Sequence, residues 1–278
     1  MKGLQDNSMV RSISWRLGRK LYCWARRELS KKPSLNGEYW LLEQIIINTC
    51  ISKPVFIDIG AYRGEWSSYA ETLLAKRGPN SSGNIYAFEP ATDSYAFLSE
   101  RFKSSKFITC EKLALSDKSC KKNFYTYGKL AGINSLSKTV DAINIEQIYA
   151  EQLDDFLARR KIDQVVFVKS DAEGHDLNII LGSIAMFKQG RVEVWQFEYN
   201  HRWLSERFQL KDVFNFIVDK PYRLGKLYGD GIEIYDNWHP ELERYFEANY
   251  VLIRRGSQFE RLCKNIRFDC NNVLTQKV

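Results

Sequence analysis

Acidic side chains stand at the ends of three apolar segments of this sequence. Asp58 lies near the end of the first segment, Glu89 follows the second directly, and Asp171 comes shortly after a later one. Carboxylates in such places accept hydrogen bonds from hydroxyl groups, pair with cations or take up protons. In an open parallel sheet, the carboxyl ends of neighbouring strands meet at one edge, where ligands bind. If the apolar segments are strands of such a sheet, the three acids belong to one site.

Two glycines follow Asp58 with the spacing Gly60-x-x-x-Gly64. Glycine lets the backbone approach a ligand closely. A dinucleotide site prefers G-x-G-x-x-G, because its pyrophosphate binds bare N–H groups at a helix N-terminus. The carboxylate of Asp58 would repel a pyrophosphate but suits the ammonium end of S-adenosylmethionine. A tight strand-to-helix turn also explains the glycines, so this motif alone leaves both interpretations open.

The motif Glu89-Pro90 favours a nucleoside site. A carboxylate at the end of a second strand can accept hydrogen bonds from both hydroxyl groups of a ribose. The alternative is a solvent-exposed strand end, but the combination with Asp58 favours the nucleoside. Ser116 follows a later apolar segment. It could contact the edge of an adenine ring, or it could simply end a strand without a ligand contact.

Ionisable side chains are concentrated between residues 169 and 176. Asp171 and Glu173 are two positions apart, so an extended backbone would point both the same way. Asp171 could act as a base, Glu173 could bind the substrate, or the two could hold a divalent cation. A third clear ligand is lacking, so a metal site is not favoured. Acids at a helix start, where they interact well with the helix dipole, are the simpler alternative.

The chain has three histidines, a residue type that can take a proton from a hydroxyl group near neutral pH. His175 and His201 follow the fourth and fifth main strands, whereas His239 precedes a proline in a late loop. His175 and His201 are therefore the candidate bases. For His175, a solvent-exposed position at a helix start explains the residue as well.

The neighbours of His201 extend the candidate site. Glu198 can orient or ionise the imidazole, and the rings of Tyr199 and Trp203 can stack on a sugar. Aromatic residues on a strand more often belong to the core, and Trp195 is expected there. We therefore predict a catalytic role for Glu198 and substrate contacts for Tyr199 and Trp203.

Helical and strand patterns alternate from residue 38 onward, which is typical of an α/β fold. Helices are predicted at 38–48, 64–76, 93–103, 149–159, 175–187 and 210–219. Strands are predicted at 55–59, 84–88, 106–115, 121–126, 164–169, 191–198, 222–228, 231–236 and 249–254. We predict a Rossmann-like, doubly wound, mostly parallel sheet with the antiparallel strand 249–254 at its edge.

The net charge of +7 on the 278 residues comes from the N-terminal segment. Residues 1–35 contain nine of the 41 Lys and Arg residues and two of the 34 Asp and Glu residues, so residues 36–278 are electrically neutral. Enzymes that act on nucleic acids usually spread basic residues around the active-site mouth, so a nucleic-acid substrate is not expected. We predict a basic arm, 1–35, followed by one domain, 36–278.

Residues 9–30 have the apolar spacing of a basic amphipathic helix. Such a helix can lie on an anionic membrane or a phosphate-rich polymer, or pack on the main domain, which is the favoured interpretation. Neither a signal-peptide pattern nor a membrane-spanning run is visible, and the six cysteines lack metal or redox spacing. A cytoplasmic protein is expected, with peripheral membrane contact as an option and the oligomeric state open.

Taken together, these motifs resemble those of the FkbM-type S-adenosylmethionine-dependent methyltransferases. The resemblance extends over roughly residues 53–255. The motifs that carry it are Asp58-x-Gly60-Ala-Tyr-Arg-Gly64, Glu89-Pro90, Ala114-Leu-Ser116, Gly132-Ile-Asn-Ser135-Leu, Leu153-Asp-Asp-Phe-Leu157, Lys169-x-Asp171-x-Glu173-Gly174 and Asn249-Tyr250. Position 170, usually apolar in the family, is Ser170 here.

The resemblance implies a Rossmann-like fold that binds S-adenosylmethionine, releases S-adenosylhomocysteine and methylates a hydroxyl group, often on a sugar or a natural product. The residues that it places at the cofactor are Asp58, Gly60 and Gly64 at the methionine end, Glu89 at the ribose, Asp171 beneath the reactive methyl group, and Ala61, Tyr62, Pro90 and Ser116 nearby.

A glycan or another hydroxylated small molecule is the expected acceptor, because aromatic side chains beside Glu198 and His201 suit a neutral sugar. Two alternatives stay open. The chain could be an inactive methyltransferase-fold protein that binds nucleic acid or a membrane through its basic helix. It could also be a nicotinamide-dependent oxidoreductase, which would retain NAD.

Overall fold

Strands and helices alternate along the chain, and the computed structural model describes residues 8–28, 31–78, 81–128, 132, 134–136 and 142–276. The strands are β1 (Val55–Ile59), β2 (Asn84–Phe88), β3 (Ile108–Glu111), β4 (Ala114–Leu115), β5 (Cys120–Thr126), β6 (Asn144–Glu151), β7 (Val165–Ser170), β8 (Val192–Tyr199), β9 (Tyr222–Tyr228), β10 (Gly231–Tyr235), β11 (Ala248–Arg254), β12 (Cys263–Phe268) and β13 (Leu274–Gln276). The helices are α1 (Ser8–Ala25), α2 (Glu38–Asn48), α3 (Glu65–Lys76), α4 (Thr92–Arg101), α5 (Leu153–Arg160), α6 (Asp176–Leu181), α7 (Ile184–Lys188) and α8 (Leu210–Ile217).

Ten of the described strands form the main sheet, in the order β13-β12-β10-β9-β11-β8-β7-β1-β2-β3. The five strands from β8 to β3 are parallel, and β11 is antiparallel to both of its neighbours. The predicted α/β fold, with a mostly parallel sheet and an antiparallel strand, is therefore confirmed. The strand predicted at 249–254 lies inside the sheet rather than at its edge, because β9, β10, β12 and β13 continue the sheet beyond it.

Helices cover both faces of the sheet, which explains why its central strands are mostly apolar. Phe56 belongs to an apolar cluster with residues of α2, α3 and α4. Its neighbour Ile57 belongs to a second cluster, with residues of α5, α6, α7 and α8. Successive side chains of a strand point to opposite faces, so β1 contributes to both clusters. The two layers hold the carboxyl ends of β1, β2, β7 and β8 along one edge.

A second sheet, in the order β4-β6-β5, accounts for the main differences from the sequence prediction. The strand predicted at 106–115 is divided between the two sheets, and the first residues of the predicted helix 149–159 belong to β6. The sequence pattern predicts none of β6, β12 and β13, because their side chains are mostly exposed or half-buried and show little apolar periodicity. The predicted helix 175–187 is interrupted at Gly182, where a Cβ atom would overlap the carbonyl oxygen of Ser116.

Helix α1 ends at Ala25, and the residues after it are bound to the domain. Arg26 donates a hydrogen bond to the carbonyl oxygen of Glu241 at 3.1 Å, and Glu28 accepts one from Lys226 at 2.6 Å. Helix α1 contacts the domain through Tyr22 and Arg19, as the favoured interpretation expects, but most of its apolar residues are exposed. The division of the chain between residues 35 and 36 stays a prediction. Among the described residues, no helix is long and apolar enough to cross a membrane.

We predict that Gly60→Ala lowers the free energy of unfolding by about 3 kcal/mol. Gly60 has a φ of +74°, and a Cβ atom there would overlap the backbone carbonyl of Asp171. Gly256→Ala is the matched control, because Gly256 has a φ of +77° and nothing within 4 Å of a Cβ position. It should cost only about 1 kcal/mol. Urea unfolding compares the two variants, and equal losses would contradict the close contact at Gly60.

Candidate active site

The carboxyl ends of β1, β2, β7 and β8 surround two adjoining cavities. The larger is a polar pocket of about 490 Å³, and the smaller is a narrow cleft of about 50 Å³. Gly60 and Asp171 line both, so they lie where the two cavities meet. Asp58 and Glu198 line the polar pocket, and Glu89 lines the cleft. The structure thus brings the acids of four strand ends to one edge of the sheet.

Asp58 is fully buried, and one of its carboxylate oxygens has no hydrogen-bond partner among the described residues. The other oxygen accepts a hydrogen bond from Ser67 Oγ at 2.6 Å. Lys169 Nζ lies 3.9 Å from the unbonded oxygen. Burial raises the pKa of Asp58, although the charge of Lys169 and the bond from Ser67 oppose this effect. A buried oxygen without a hydrogen bond is energetically costly, so its position in the pocket wall indicates a place for a cationic ligand group.

Lys169 is a functional candidate to which the sequence analysis assigns no role. Its ammonium group is buried in the wall of the polar pocket, between Asp58 and Asp171, at 3.3 Å from the Asp171 carboxylate. Burial alone would lower the pKa of Lys169, but the charges of Asp171 and Asp58 outweigh burial and raise it. The side chain is therefore a permanent cation. A lysine at the end of an otherwise apolar strand is the signal that could have revealed it.

Both carboxylate oxygens of Glu89 accept backbone hydrogen bonds, from the N–H of Tyr62 at 2.9 Å and from that of Ala91 at 2.8 Å. These bonds fix the carboxylate beside the cleft, while each oxygen keeps a second lone pair for a ligand. Burial raises the pKa of Glu89 to about 7, since the two backbone bonds offset it only in part. The arrangement suits a pair of neighbouring hydroxyl groups such as those of a ribose.

Three other residues predicted at the cofactor reach the cavities, whereas Gly64 and Ser116 do not. Ala61 and Tyr62 line the polar pocket, and Pro90 lines the cleft. Gly64 lines neither cavity, and a Cβ atom there would overlap the ring of Phe102. Gly64 therefore serves the close packing of the start of α3 and does not contact the cavities.

Ser116 and His175 contact each other behind the cleft. The Ser116 hydroxyl lies 2.8 Å from His175 Nε2, and Asn178 Nδ2 lies 3.1 Å from the other ring nitrogen. His175 is only 3% exposed, and burial together with the charge of Lys122 lowers its pKa to about 3. The interpretation of His175 as a solvent-exposed histidine is therefore wrong. This neutral imidazole lines the cleft and not the polar pocket, and Ser116 is part of neither cavity wall.

Asp171, Glu173 and His201 all line the polar pocket. The Asp171 side chain is 40% exposed, so a ligand can reach it. Glu173 has a left-handed backbone with a φ of 54°, so the extended segment predicted for this pair is not formed. The carboxylate of Glu173 pairs with Arg202, which leaves it poorly placed to bind a cation. Within the described ranges, no three His, Cys, Asp or Glu side chains are grouped to hold a metal ion.

Glu198 receives its hydrogen bond from Asn200, whereas the prediction pairs it with His201. Asn200 Nδ2 donates to Glu198 Oε2 at 2.6 Å, and Asn200 Oδ1 caps the short 3₁₀ helix that begins at His201. Burial raises the pKa of Glu198 well above its usual value, and the negative charge of Asp171 adds to this effect. Glu198 therefore contacts the loop that carries His201.

The prediction that Tyr199 and Trp203 contact the substrate is wrong. Tyr199 is 1% exposed and donates a hydrogen bond to Glu243, and Trp203 is fully buried with its indole N–H bound to the carbonyl oxygen of Glu198 at 3.0 Å. The alternation of side chains along β8 explains this, because Tyr199 shares the core face with Trp195 while Glu198 points to the pocket. Trp195 lies in the core, as predicted.

The N-terminal arm supplies a wall of the polar pocket that the sequence analysis does not predict. Arg27, Glu28 and Lys31 line the pocket, together with Tyr39 of α2. Trp66 of α3 also lines it, and its buried indole N–H has no hydrogen-bond partner among the described residues. No local sequence pattern reveals that Arg27, Glu28 and Lys31 belong to the site, because they reach the pocket only when the arm folds against the sheet.

The strand order β3-β2-β1-β7-β8, a glycine turn after β1 and an acid after β2 define a Rossmann-like, S-adenosylmethionine-dependent methyltransferase fold. The chain belongs to the FkbM methyltransferase family. The profile described as "Methyltransferase FkbM domain" matches residues 58–224, which confirms the resemblance of the motifs.

Several solved methyltransferases are similar to this chain at low sequence identity. An S-adenosylmethionine-dependent methyltransferase from Aquifex aeolicus is 12% identical, with 80% of this chain and 92% of that chain covered and a TM-score of 0.41. A putative methyltransferase from Streptococcus mutans in complex with SAH is 9% identical, with 81% and 99% covered and a TM-score of 0.41. The METTL16 methyltransferase domain is 13% identical, with 78% of this chain and 66% of that chain covered and a TM-score of 0.42. Comparison with curated proteins found no match.

We predict that S-adenosylhomocysteine binds more tightly as the pH rises from about 6 to about 8. The pKa of Glu89 is about 7, and the carboxylate that dominates above this pH can accept hydrogen bonds from both ribose hydroxyls. Glu89→Gln should weaken binding about tenfold at the higher pH and flatten the pH dependence. Isothermal titration calorimetry measures both effects. Glu100→Gln, on the exposed face of α4, is the control. A pH dependence that survives in Glu89→Gln would disprove the assignment.

Proposed function

We propose that this protein transfers a methyl group from S-adenosylmethionine to a hydroxyl group of a sugar, in a glycan or a glycosylated natural product. The observation that supports this most strongly is the position of Asp171 where the narrow cleft meets the polar pocket. The nucleoside of the cofactor would lie at the cleft and its methionine part along the Asp58 wall of the pocket. Its methyl group and an acceptor in the rest of the pocket would then meet at this carboxylate.

The residues present fit the charged and polar groups of S-adenosylmethionine. The unbonded oxygen of Asp58 can accept a hydrogen bond from the ammonium group, while Lys169 and the indole N–H of Trp66 can bind the carboxylate. Glu89 can hold the ribose hydroxyls, and apolar residues of the cleft such as Leu115 can pack on the adenine. When bound, this cofactor supplies an electrophilic methyl group on a sulfonium centre.

The lining of the polar pocket favours a neutral, hydroxylated acceptor. Eight carboxylates and five Lys or Arg side chains line it, so a polyanion such as nucleic acid would meet more negative than positive groups. The many hydrogen-bonding side chains suit a sugar, and the rings of Tyr39 and Tyr62 provide faces for stacking. A sugar hydroxyl is the acceptor that these features support best.

Methylation of a hydroxyl group requires a residue that takes up the hydroxyl proton. We assign to Asp171 the orientation of the acceptor, through a hydrogen bond from the hydroxyl to its carboxylate. His201 lies exposed at the rim of the pocket, where a ring nitrogen can take the proton and pass it to solvent. Glu198 acts through Asn200, which positions the loop that carries His201.

We expect Asp171→Asn and His201→Ala each to lower kcat about 100-fold while changing the affinity for S-adenosylhomocysteine by less than about twofold. The acceptor is first identified by incubating the full chain with S-adenosylmethionine and candidate glycans or lipid-linked sugars, and measuring the gain of one methyl group by intact mass. His239→Ala is the matched control, since His239 stacks on Phe268 outside the pocket and its loss should leave the rate unchanged.

Three results would count against this proposal. Wild-type rates in both variants would remove the assigned roles of Asp171 and His201. Calorimetric binding of NAD in place of S-adenosylmethionine would favour an oxidoreductase. Cofactor binding without methylation of any glycan would favour a binding protein that retains the methyltransferase fold.

A further inference from the structure

Four apolar side chains of α1 form a continuous stripe that is exposed to solvent. Ile13, Leu17, Leu21 and Trp24 follow one another at intervals of three or four residues, which places them on one face of the helix. They are 55%, 57%, 58% and 81% exposed. Single apolar residues on a surface are normal, but a contiguous stripe marks an interaction surface. We call these four residues the apolar stripe.

A different face of α1 contacts the domain. The ring of Tyr22 packs edge-on against Phe246 with 6.1 Å between centroids, and the guanidinium of Arg19 lies 4.8 Å from the centre of the same ring. The guanidinium of Arg244 lies 5.5 Å from the ring of Tyr22. Arg19 and Tyr22 lie on the helix face roughly opposite the apolar stripe. The domain therefore holds α1 with the stripe directed outward.

The charge of α1 selects among the surfaces that could cover the stripe. The helix contains four basic residues, all exposed, and no acidic residue: Arg11, Arg16, Arg19 and Lys20. Arg16 and Lys20 each directly precede a leucine of the stripe, so they lie along its edge. A second copy of the helix would bring like charges together, and a nucleic acid would leave the apolar side chains uncovered. An anionic lipid surface satisfies both the stripe and the basic residues.

We propose that α1 docks this protein on an anionic membrane surface, with the apolar stripe inserted among the lipid headgroups and the basic side chains at the level of the phosphates. The helix lies along the surface and does not cross the bilayer, because four of its 18 residues are charged and a spanning helix needs about 20 mostly apolar residues. Arg27 and Lys31 follow α1 closely and line the polar pocket, so only a few residues of chain separate the docking helix from the pocket wall. The docking itself does not depend on the proposed methylation.

The experiment measures sedimentation of the full chain with vesicles of phosphatidylcholine alone or with about a quarter phosphatidylglycerol. We expect binding at least about tenfold tighter to the anionic vesicles, and a loss of binding as salt is raised. The double variant Leu17→Gln and Leu21→Gln should bind the anionic vesicles at least about tenfold more weakly, because both uncharged substitutions remove apolar area from the lipid contact.

The matched control replaces two apolar residues elsewhere that are even more exposed, Ile143→Gln and Val218→Gln, at 76% and 82% in the wild type. It should bind vesicles like the wild type. Circular dichroism and calorimetry with S-adenosylhomocysteine verify that both double variants keep the fold and the cofactor site.

Several outcomes would overturn the docking proposal. They are equal vesicle binding by the two double variants, binding that does not depend on anionic lipid, and no vesicle binding by the wild type. A wild-type dimer in analytical ultracentrifugation that the stripe variant converts to a monomer, without vesicle binding, would show that a second copy covers the stripe. Each of these results is distinguishable from failure of the methyltransferase assay, which measures a different site.

Discussion

The contact between the turn after β1 and the turn after β7 is the constraint on which the site depends. Gly60 leaves no side chain between the two turns, and the backbone N–H of Asp171 donates to the carbonyl of Ile59 at 3.0 Å. This contact brings the buried side chains of Asp58 and Lys169 together with the partly exposed carboxylate of Asp171. Burying the charge of Asp58 or of Lys169 alone would cost several kcal/mol, so each of these two requires the other. The arrangement still leaves one oxygen of Asp58 without a hydrogen bond among the described residues, where a cationic ligand group could bind.

The same edge of the sheet separates two chemical environments. The narrow cleft beside Glu89 has apolar walls, whereas the pocket beyond Asp171 is lined mostly by charged and polar groups. His175, buried and bonded on both ring nitrogens, belongs to the first environment, and His201 belongs to the second. A general base needs a ring nitrogen that can reach the substrate proton and hold it. Both ring nitrogens of His175 already have partners and its pKa is lowered to about 3, whereas His201 lies exposed at the pocket, so only His201 remains a catalytic candidate.

The N-terminal arm links the pocket to an outer surface of different character. Arg27 and Lys31, in the part of the arm that follows α1, line one side of an acid-rich pocket, and Arg27 pairs with Glu233 at 3.4 Å. The helix before them is basic and directs apolar side chains to solvent. The excess positive charge of the chain is therefore divided. Arg27 is neutralised by a carboxylate of the domain, whereas the basic side chains of α1 are exposed to solvent.

By itself, the sequence determined where the central strands and helices follow one another along the chain, the glycine turn after β1 and the resemblance to the FkbM methyltransferase family. These features depend on local patterns, such as the apolar run of β1 and the acids that follow it. Only the tertiary structure decided that Tyr199 and Trp203 are core residues, that His175 is buried and that Lys169 and the arm form walls of the pocket. A local pattern shows that side chains alternate or recur, but it does not show which face the neighbouring layers will cover. Burial and ion pairing are set by residues distant in the chain, so they follow only from how the layers pack.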